Sequence, residues 1–440
     1  MNDPNHATDS GFRSVLPSFC QFVVLILLIT VCTVSTPCEE VTGSKRPLTV
    51  RDLIELTYIV NAASSTTPGT PDERPPATPI YSPDGKQFLL VTQQGDLLNN
   101  RLVGTIWVFD SQTVRDYISN PSTAQPVPRK LAVMSAPSNT PVISDVHWIQ
   151  GSGKVAFLGK DVGGYQRLFQ VDVETGLLKA VTEDGSYVTA YEMKGATTVY
   201  TVLALPQGTG FDRDMVPMGQ KTINDLLYPE PPSLRDLTST QLAQYPSSLH
   251  VQRDGKEVPI DFREDGAPVQ FFIPTLSLSY DGEHLVTVAA VENVPQPWEQ
   301  YLPNGEWFRL KAGPVEKKRT LTWGSMERPE QYVIADLTTG SVKPLVEAPV
   351  GRDMGHYIPT QAWWLEDNRR VVLTNTYLPF SAHPHETNAS QSPDGPAIAV
   401  VDTSTGKILA SVALRESMFG TRPYYAVKDI TWDSVAKLAG

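Results

Sequence analysis

Residues 81–91 read YSPDGKQFLLV: an aromatic residue, a tight turn, then a hydrophobic strand. Ser82-Pro83-Asp84-Gly85 suits a type I turn, because proline presets φ at the second position, Asp fits the third and Gly the fourth. The arrangement returns as Trp148 before SGKVAFLG, as Tyr280-Asp281-Gly282 before HLVTVAAV, as Trp364 before NRRVVLTN and as Trp432 before VAKLAG. A weaker copy stands at Tyr191, before ATTVYTVLAL.

A second motif interleaves with the first. A strand ends in Asp, a turn carries Thr-Gly, and another strand follows. It reads FQVDVETGLLKAV (Asp172, Gly176), YVIADLTTGSVKPLV (Asp336, Gly340) and AVVDTSTGKILASV (Asp402, Gly406), with a degenerate copy, IWVFDSQTV, around Asp110. Glycine there supplies the positive φ of a short hairpin. Tyr81 to Trp148 is 67 residues, Trp364 to Trp432 is 68, and Trp148 to Tyr280 is 132, close to two such steps. One copy of each motif makes about four strands, the content of a propeller blade. The fold expected is therefore all-β: a β-propeller of about six to seven four-stranded blades over residues 76–440.

Two stretches break the rhythm. Residues 207–270 are polar and proline-rich, with a short helix expected near Thr238–Leu242. Residues 292–330 hold Trp298, Tyr301, Trp307 and Phe308 among prolines. Both read as insertions on one face, able to gate or bind a peptide or to pack over blade ends. Residues 430–440 open a further motif that stops after one strand, so the C-terminal blade reads as incomplete.

Composition narrows the function classes. The 440 residues carry a net charge of −12, and the densest basic spot is Lys317-Lys318-Arg319, so no footprint for nucleic acid is present. The three cysteines, Cys20, Cys32 and Cys38, all lie in the first 38 residues, which excludes a disulfide framework or cysteine zinc site from the folded body. Phe22–Val34 is an apolar run of 13 residues behind Arg13. That length suits a signal peptide over residues 1–38. A span starting at Val15 would instead serve as an uncleaved membrane anchor. Residues 39–75, with Glu39-Glu40, read as linker and lead-in. The protein is expected outside the cytoplasm, periplasmic or extracellular, touching a membrane only through an uncleaved N-terminal segment.

Catalytic motifs are sparse. No Gly-x-Ser-x-Gly elbow occurs, and the last of the seven histidines (His6, His147, His250, His284, His356, His383, His385) precedes the place where a hydrolase triad ends. Gly151-Ser152-Gly153-Lys154-Val155-Ala156 matches a dinucleotide pattern on paper, but a strand follows it, so it reads as a hairpin turn. His383-Pro384-His385-Glu386 offers three metal-ligating groups in a proline-broken loop that preorganises no tetrahedral site. Trp363-Trp364 read as inter-blade packing rather than a stacking platform. No catalytic, cofactor-binding or metal-ligating residue is assigned, and no cofactor is expected.

Leu48-Thr49-Val50-Arg51-Asp52-Leu53-Ile54-Glu55-Leu56, followed by Tyr81–Lys86 and by QQGDLLNNRLVGTIWVFD (Gln93–Asp110), resembles the start of exported serine peptidases of the prolyl oligopeptidase (S9) family, nearest to the lasso-peptide isopeptidase-like subgroup. That resemblance implies a propeller that filters substrates for an α/β-hydrolase domain with a Ser-Asp-His triad. None of the triad maps onto this sequence. The expected partner is then a peptide substrate or a separate or missing hydrolase domain. SPDG-type repeats also occur in TolB-like propellers, which implies the alternative of a stand-alone periplasmic scaffold without enzymatic activity.

Overall fold

The hydrophobic runs that follow Tyr81, Trp148, Tyr191, Tyr280 and Trp364 are each the second strand of an antiparallel sheet. The computed structural model describes residues 47–62, 78–138, 141–203, 247–271, 275–303, 309–315, 329–356, 360–380 and 395–414. The leader, Trp307, Phe308, Lys317–Arg319, the expected helix near Thr238, His383–Glu386 and the motif at Trp432 fall outside these residues.

The described residues hold five blades. A short helix, α1 (Val50–Glu55), precedes blade one, which comprises β1 (Tyr58–Val60), β2 (Ile80–Tyr81), β3 (Gln87–Asp96), β4 (Arg101–Asp110) and β5 (Arg129–Ala136). Blade two is β6 (Ile143–Ile149), β7 (Lys154–Lys160), β8 (Gln166–Asp172) and β9 (Leu178–Ala180). Blade three is β10 (Val188–Lys194), β11 (Thr197–Leu203), β12 (Ser247–Arg253) and β13 (Lys256–Val258). A small hairpin, β14 (Arg263–Glu264) and β15 (Ala267–Pro268), leads to blade four. That blade is β16 (Ser277–Leu278) and β17 (His284–Ala290), then, after a second hairpin of β18 (Asn293–Val294) and β19 (Gly313–Pro314), β20 (Glu330–Asp336) and β21 (Val342–Pro349). Blade five is β22 (Ala362–Trp364), β23 (Arg370–Thr376), β24 (Ala397–Asp402) and β25 (Ile408–Ala413).

Two boundaries move. Residues 247–258 fall inside the expected insertion but form β12 and β13, since SSLHVQR alternates in burial along a strand paired to β11 over its whole length. Tyr58–Val60, within the expected linker, pairs with Val91–Gln93 of β3 and so belongs to blade one. β1 and β2 share the inner edge of β3 end to end.

The core lies between blades rather than within them. Leu89, Val91, Ile106 and Val108 of blade one meet Val155, Phe157, Phe169 and Val171 of blade two. Equivalent clusters fill the junctions between blades two and three, three and four, and four and five. A strand sandwiched this way is apolar on both faces, which is why β7 (KVAFLGK) reads as a run rather than an alternation.

The turns repeat atom for atom. In blade one the Ser82 hydroxyl donates to Asp84 at 2.8 Å and accepts from Gln87 N–H at 3.0 Å. In blade four Ser279 donates to Asp281 at 2.5 Å and accepts from His284 N–H at 2.9 Å. In the second motif the Asp carboxylate accepts from the N–H three residues on, at 2.8 Å for Asp172, 3.0 Å for Asp336 and 3.0 Å for Asp402. The degenerate copy makes the same bond from Asp110 to Thr113 at 2.7 Å. There, however, Val114 stands where the others have glycine. Without a residue suited to positive φ the chain continues as a helix, α2 (Ser111–Ser119), with Asp110 as its N-cap.

An antiparallel meander puts the first-to-second and third-to-fourth turns at one face of every blade. The second-to-third connections all leave from the other face, including the long ones at 204–246, 291–329 and 377–396. One of these is fastened down. Trp298 and Tyr301, on the 291–329 connection, are buried against blade five, and the Tyr301 hydroxyl donates to Leu378 O at 2.9 Å.

Candidate functional site

First strands sit innermost: β2 meets β6, and β16 meets both β10 and β22. One position on these strands recurs. Trp148, Tyr191 and Trp364 each stand six residues before the second strand of their blade. Each donates to a backbone carbonyl on the first strand of the preceding blade: Trp148 Nε1 to Ile80 O at 2.9 Å, Tyr191 OH to Asp145 O at 2.5 Å, Trp364 Nε1 to Ser277 O at 2.8 Å. Tyr81 holds the position in blade one and is 56 % exposed. In blade four the position belongs to buried Leu278, two residues before Tyr280, which lies in the turn. At that junction the bond runs forward instead, from the Lys194 ammonium to Leu278 O. Trp363, one residue from Trp364, points to the opposite face of blade five and packs with Val372 and Ile398.

The same inner strands gather charge. His147 Nε2 lies 2.9 Å from the Asp145 carboxylate, and Lys194 lies 3.8 Å from Glu192. Asp145 takes a positive φ of 52° at a bulge in β6, which turns it toward His147. The His147 and Tyr191 rings meet at 5.8 Å, and the Lys194 ammonium sits 4.5 Å over the Tyr280 ring. A cavity of about 160 Å³ opens here, lined among others by His147, Gln150, Tyr191, Glu192 and Lys194. Burial pushes the Glu192 carboxyl above the usual carboxylate range, with Lys194 and His147 pulling it partly back. Burial likewise lowers Lys194, opposed by Glu192. The group spans blades two to four and offers both signs of charge beside aromatic faces, which suits a polar main chain with termini or charged side chains better than a purely apolar ligand.

Asp281, Glu283 and His284 bring three metal-type donor atoms within 4.8 Å of one another. Asp281 already accepts from the Ser279 hydroxyl and the Glu283 N–H, so it acts here as the carboxylate that holds its turn. The glycines of the Gly151-Ser152-Gly153-Lys154 stretch both have positive φ and form the β6–β7 hairpin turn, with Ser152 N–H donating to Ile149 O at 3.2 Å.

A second polar group lies under the insertion face between blades four and five. Arg352 donates to Glu330, and Asn375 Nδ2 donates to His356 O at 3.0 Å. The Tyr377 hydroxyl donates to Leu302 O at 2.5 Å and so accepts from His356 Nε2 at 3.0 Å. The bond to Leu302 fastens the 291–329 connection to blade five.

A third arrangement was not visible in the sequence. The Ser248 hydroxyl lies 2.8 Å from His250 Nε2, and His250 Nδ1 lies 2.8 Å from Glu257 Oε1. Ser-x-His on one strand followed by Glu on the next was the available signal, but only the hairpin at Asp254-Gly255 brings Glu257 back beside His250.

No family model matches the chain, and no curated protein matches it. Solved structures do. The propeller domain of the Trilobed protease from Pyrococcus furiosus is similar at 14 % identity over 78 % of this chain and 69 % of that one, with a TM-score of 0.35. TolB from Acinetobacter baumannii is similar at 13 % identity over 71 % and 50 %, with a TM-score of 0.31. The AtxE2 isopeptidase, in a variant with astexin bound, is similar at 12 % identity over 84 % and 48 %, with a TM-score of 0.29. The chain thus spans about half the length of the last two.

Proposed function

We propose that this chain is the substrate-admitting propeller of an exported serine peptidase or isopeptidase of the prolyl oligopeptidase type. Its α/β-hydrolase unit would be supplied outside these residues. The observation that carries the reading is the charged group on the first strands of blades two and three, Asp145, His147, Glu192 and Lys194, with Tyr280 of the blade-four turn beneath Lys194; in this reading these side chains contact the admitted peptide. The resemblance of residues 48–110 and the long connections on one face support it. The apolar run at Phe22–Val34 supports export. In this role the propeller binds and orients a peptide by its termini and charges, and leaves amide cleavage to the partner unit.

The test is titration of fluorescent peptides into the purified chain. Micromolar binding that weakens in Glu192→Gln and His147→Ala, without peptide cleavage, supports the reading. Peptide-amide hydrolysis by the chain alone, abolished by a serine-directed inhibitor, overturns it.

A second reading, a stand-alone scaffold of the TolB type, is favoured by one feature. Leu48, Val50, Leu53 and Leu56 around α1 are all more than half exposed, an apolar surface suited to a protein partner. Affinity capture on Leu53→Asp against wild type separates the readings, since only the scaffold role depends on that surface.

A further inference from the structure

We propose that Ser248, His250 and Glu257 form a nucleophile, base and positioning residue on blade three that accept an acyl group from an activated ester. Ser248 and His250 are two apart on β12 and therefore share a face. Gln252, on the same face, pairs with Glu257 of β13, so the tight hairpin returns the carboxylate to the histidine. Tyr200 is directly opposite His250 on β11, with the two rings stacked at 5.1 Å and 11°. The Tyr200 hydroxyl donates to Glu257 Oε2 at 2.8 Å, so the carboxylate is held from two sides.

Proton placement follows from the chemistry of the groups. An ionised Glu257 only accepts, so Nδ1 of a neutral His250 carries the hydrogen and Nε2 presents its lone pair. The Ser248 hydroxyl then donates to Nε2 at 2.8 Å in preference to Val202 O at 3.2 Å. Nucleophile, base and orienting group thus stand in hydrogen-bond sequence, which is the geometry that activates a hydroxyl. Ser248 is exposed, so an acyl donor reaches it from solvent.

In the step proposed, Ser248 Oγ attacks the ester carbonyl while its proton passes to His250 Nε2. The carbonyl–aryl oxygen bond breaks, and the phenol leaves with that proton. Water then attacks the acyl-serine with His250 as base, releasing the carboxylic acid and restoring the hydroxyl. An aryl oxide departs readily, so this needs the hydrogen-bonded pair and not the donors that amide cleavage demands.

The experiment uses the full chain, a fluorophosphonate probe with mass spectrometry of the labelled peptide, and hydrolysis of p-nitrophenyl acetate. Label is expected on Ser248 and absent in Ser248→Ala. His250→Asn is expected to slow labelling and ester hydrolysis by roughly 10²- to 10⁴-fold, the range for losing a positioned base. Glu257→Gln slows both, and Glu257→Asp recovers part of the rate at an unchanged unfolding midpoint. If His250→Asn fails to fold, the two Glu257 variants decide. No label on Ser248, or rates indifferent to His250 and Glu257, overturns the proposal. Peptide amides are not substrates in this scheme, so its failure leaves the peptide-binding reading untouched, and the reverse holds.

Discussion

The indole nitrogen of Trp364 sits 2.8 Å from the carbonyl oxygen of Ser277, 87 residues away, and ties the first strand of blade five to that of blade four. Trp148 and Tyr191 make the corresponding bond at two earlier junctions. Replacing Trp364 by Phe keeps an aromatic ring and removes the donor, leaving a buried carbonyl without that bond. The expected loss is about 1–3 kcal/mol in urea unfolding. Tyr81→Phe, at the same position but exposed, is expected to stay within about 0.5 kcal/mol. Equal effects at the two sites would show that the inter-blade bond is not what the position contributes.

Acid should act through the turn aspartates. Burial would raise the Asp336 carboxyl, but the Thr338 hydroxyl and the Thr338 and Thr339 N–H groups outweigh it and hold the group at about 2 against an ordinary 3.8. Asp402 is lowered as well, by the Ser404 hydroxyl first, and Asp172 by the Thr175 N–H first. The unfolded chain takes up these protons at higher pH than the folded one. Their contribution is thus complete above about 4 and drains away as pH falls toward 2. Urea midpoints measured from pH 6 to pH 2 should drop steeply in this window for wild type, and less steeply for Asp336→Asn.

Glu192 works with the opposite sign. Its folded value is raised, so above the ordinary carboxylate value of 4.5 the folded protein still holds a proton that the unfolded chain has released. Stability attributable to Glu192 therefore falls as pH rises from 4.5 through the raised folded value. Thermal midpoints of wild type and Glu192→Gln across pH 4 to 8 should converge at the acid end and separate toward the alkaline end, with the variant the more stable.

The motif glycines are not equivalent. A Cβ on Gly176, at φ +72°, meets nothing within 4 Å, so Gly176→Ala carries only the left-handed backbone cost of about 1–2 kcal/mol. A Cβ on Gly340, at φ +76°, falls 2.3 Å from the Asp261 carbonyl oxygen. Gly340→Ala should be the more destabilising in chemical denaturation, because the segment joining blades three and four must move aside. Similar midpoints for the two variants would show that this segment yields easily.

Much of the fold was legible because it is written in short-range chemistry. Ser-x-Asp-Gly and Asp-x-x-Thr-Gly fold their own backbones, so each announces a turn wherever it stands. What was missed depends on register. Tyr280 looked like the counterpart of Tyr81, but pairing assigns that role to Leu278, and the aromatic ring lies under Lys194 instead. The Asp110 copy lacked only glycine, and that one difference makes a helix. The strand at Ser247–Arg253 hid among prolines and polar residues because its alternation is short. Of the candidate sites, the Ser248–His250–Glu257 sequence and the inner-strand charges are products of cross-strand and cross-blade proximity, which no local pattern records.

The backward reach of Trp148, Tyr191 and Trp364 gives three of the blade junctions one rule of assembly: a donor from the incoming unit, a main-chain oxygen from the one before it. A main-chain acceptor does not depend on which side chain its residue bears. A blade copied or deleted as a whole would leave behind edges that already fit each other, so the ring could change its size in evolution without inventing an interface.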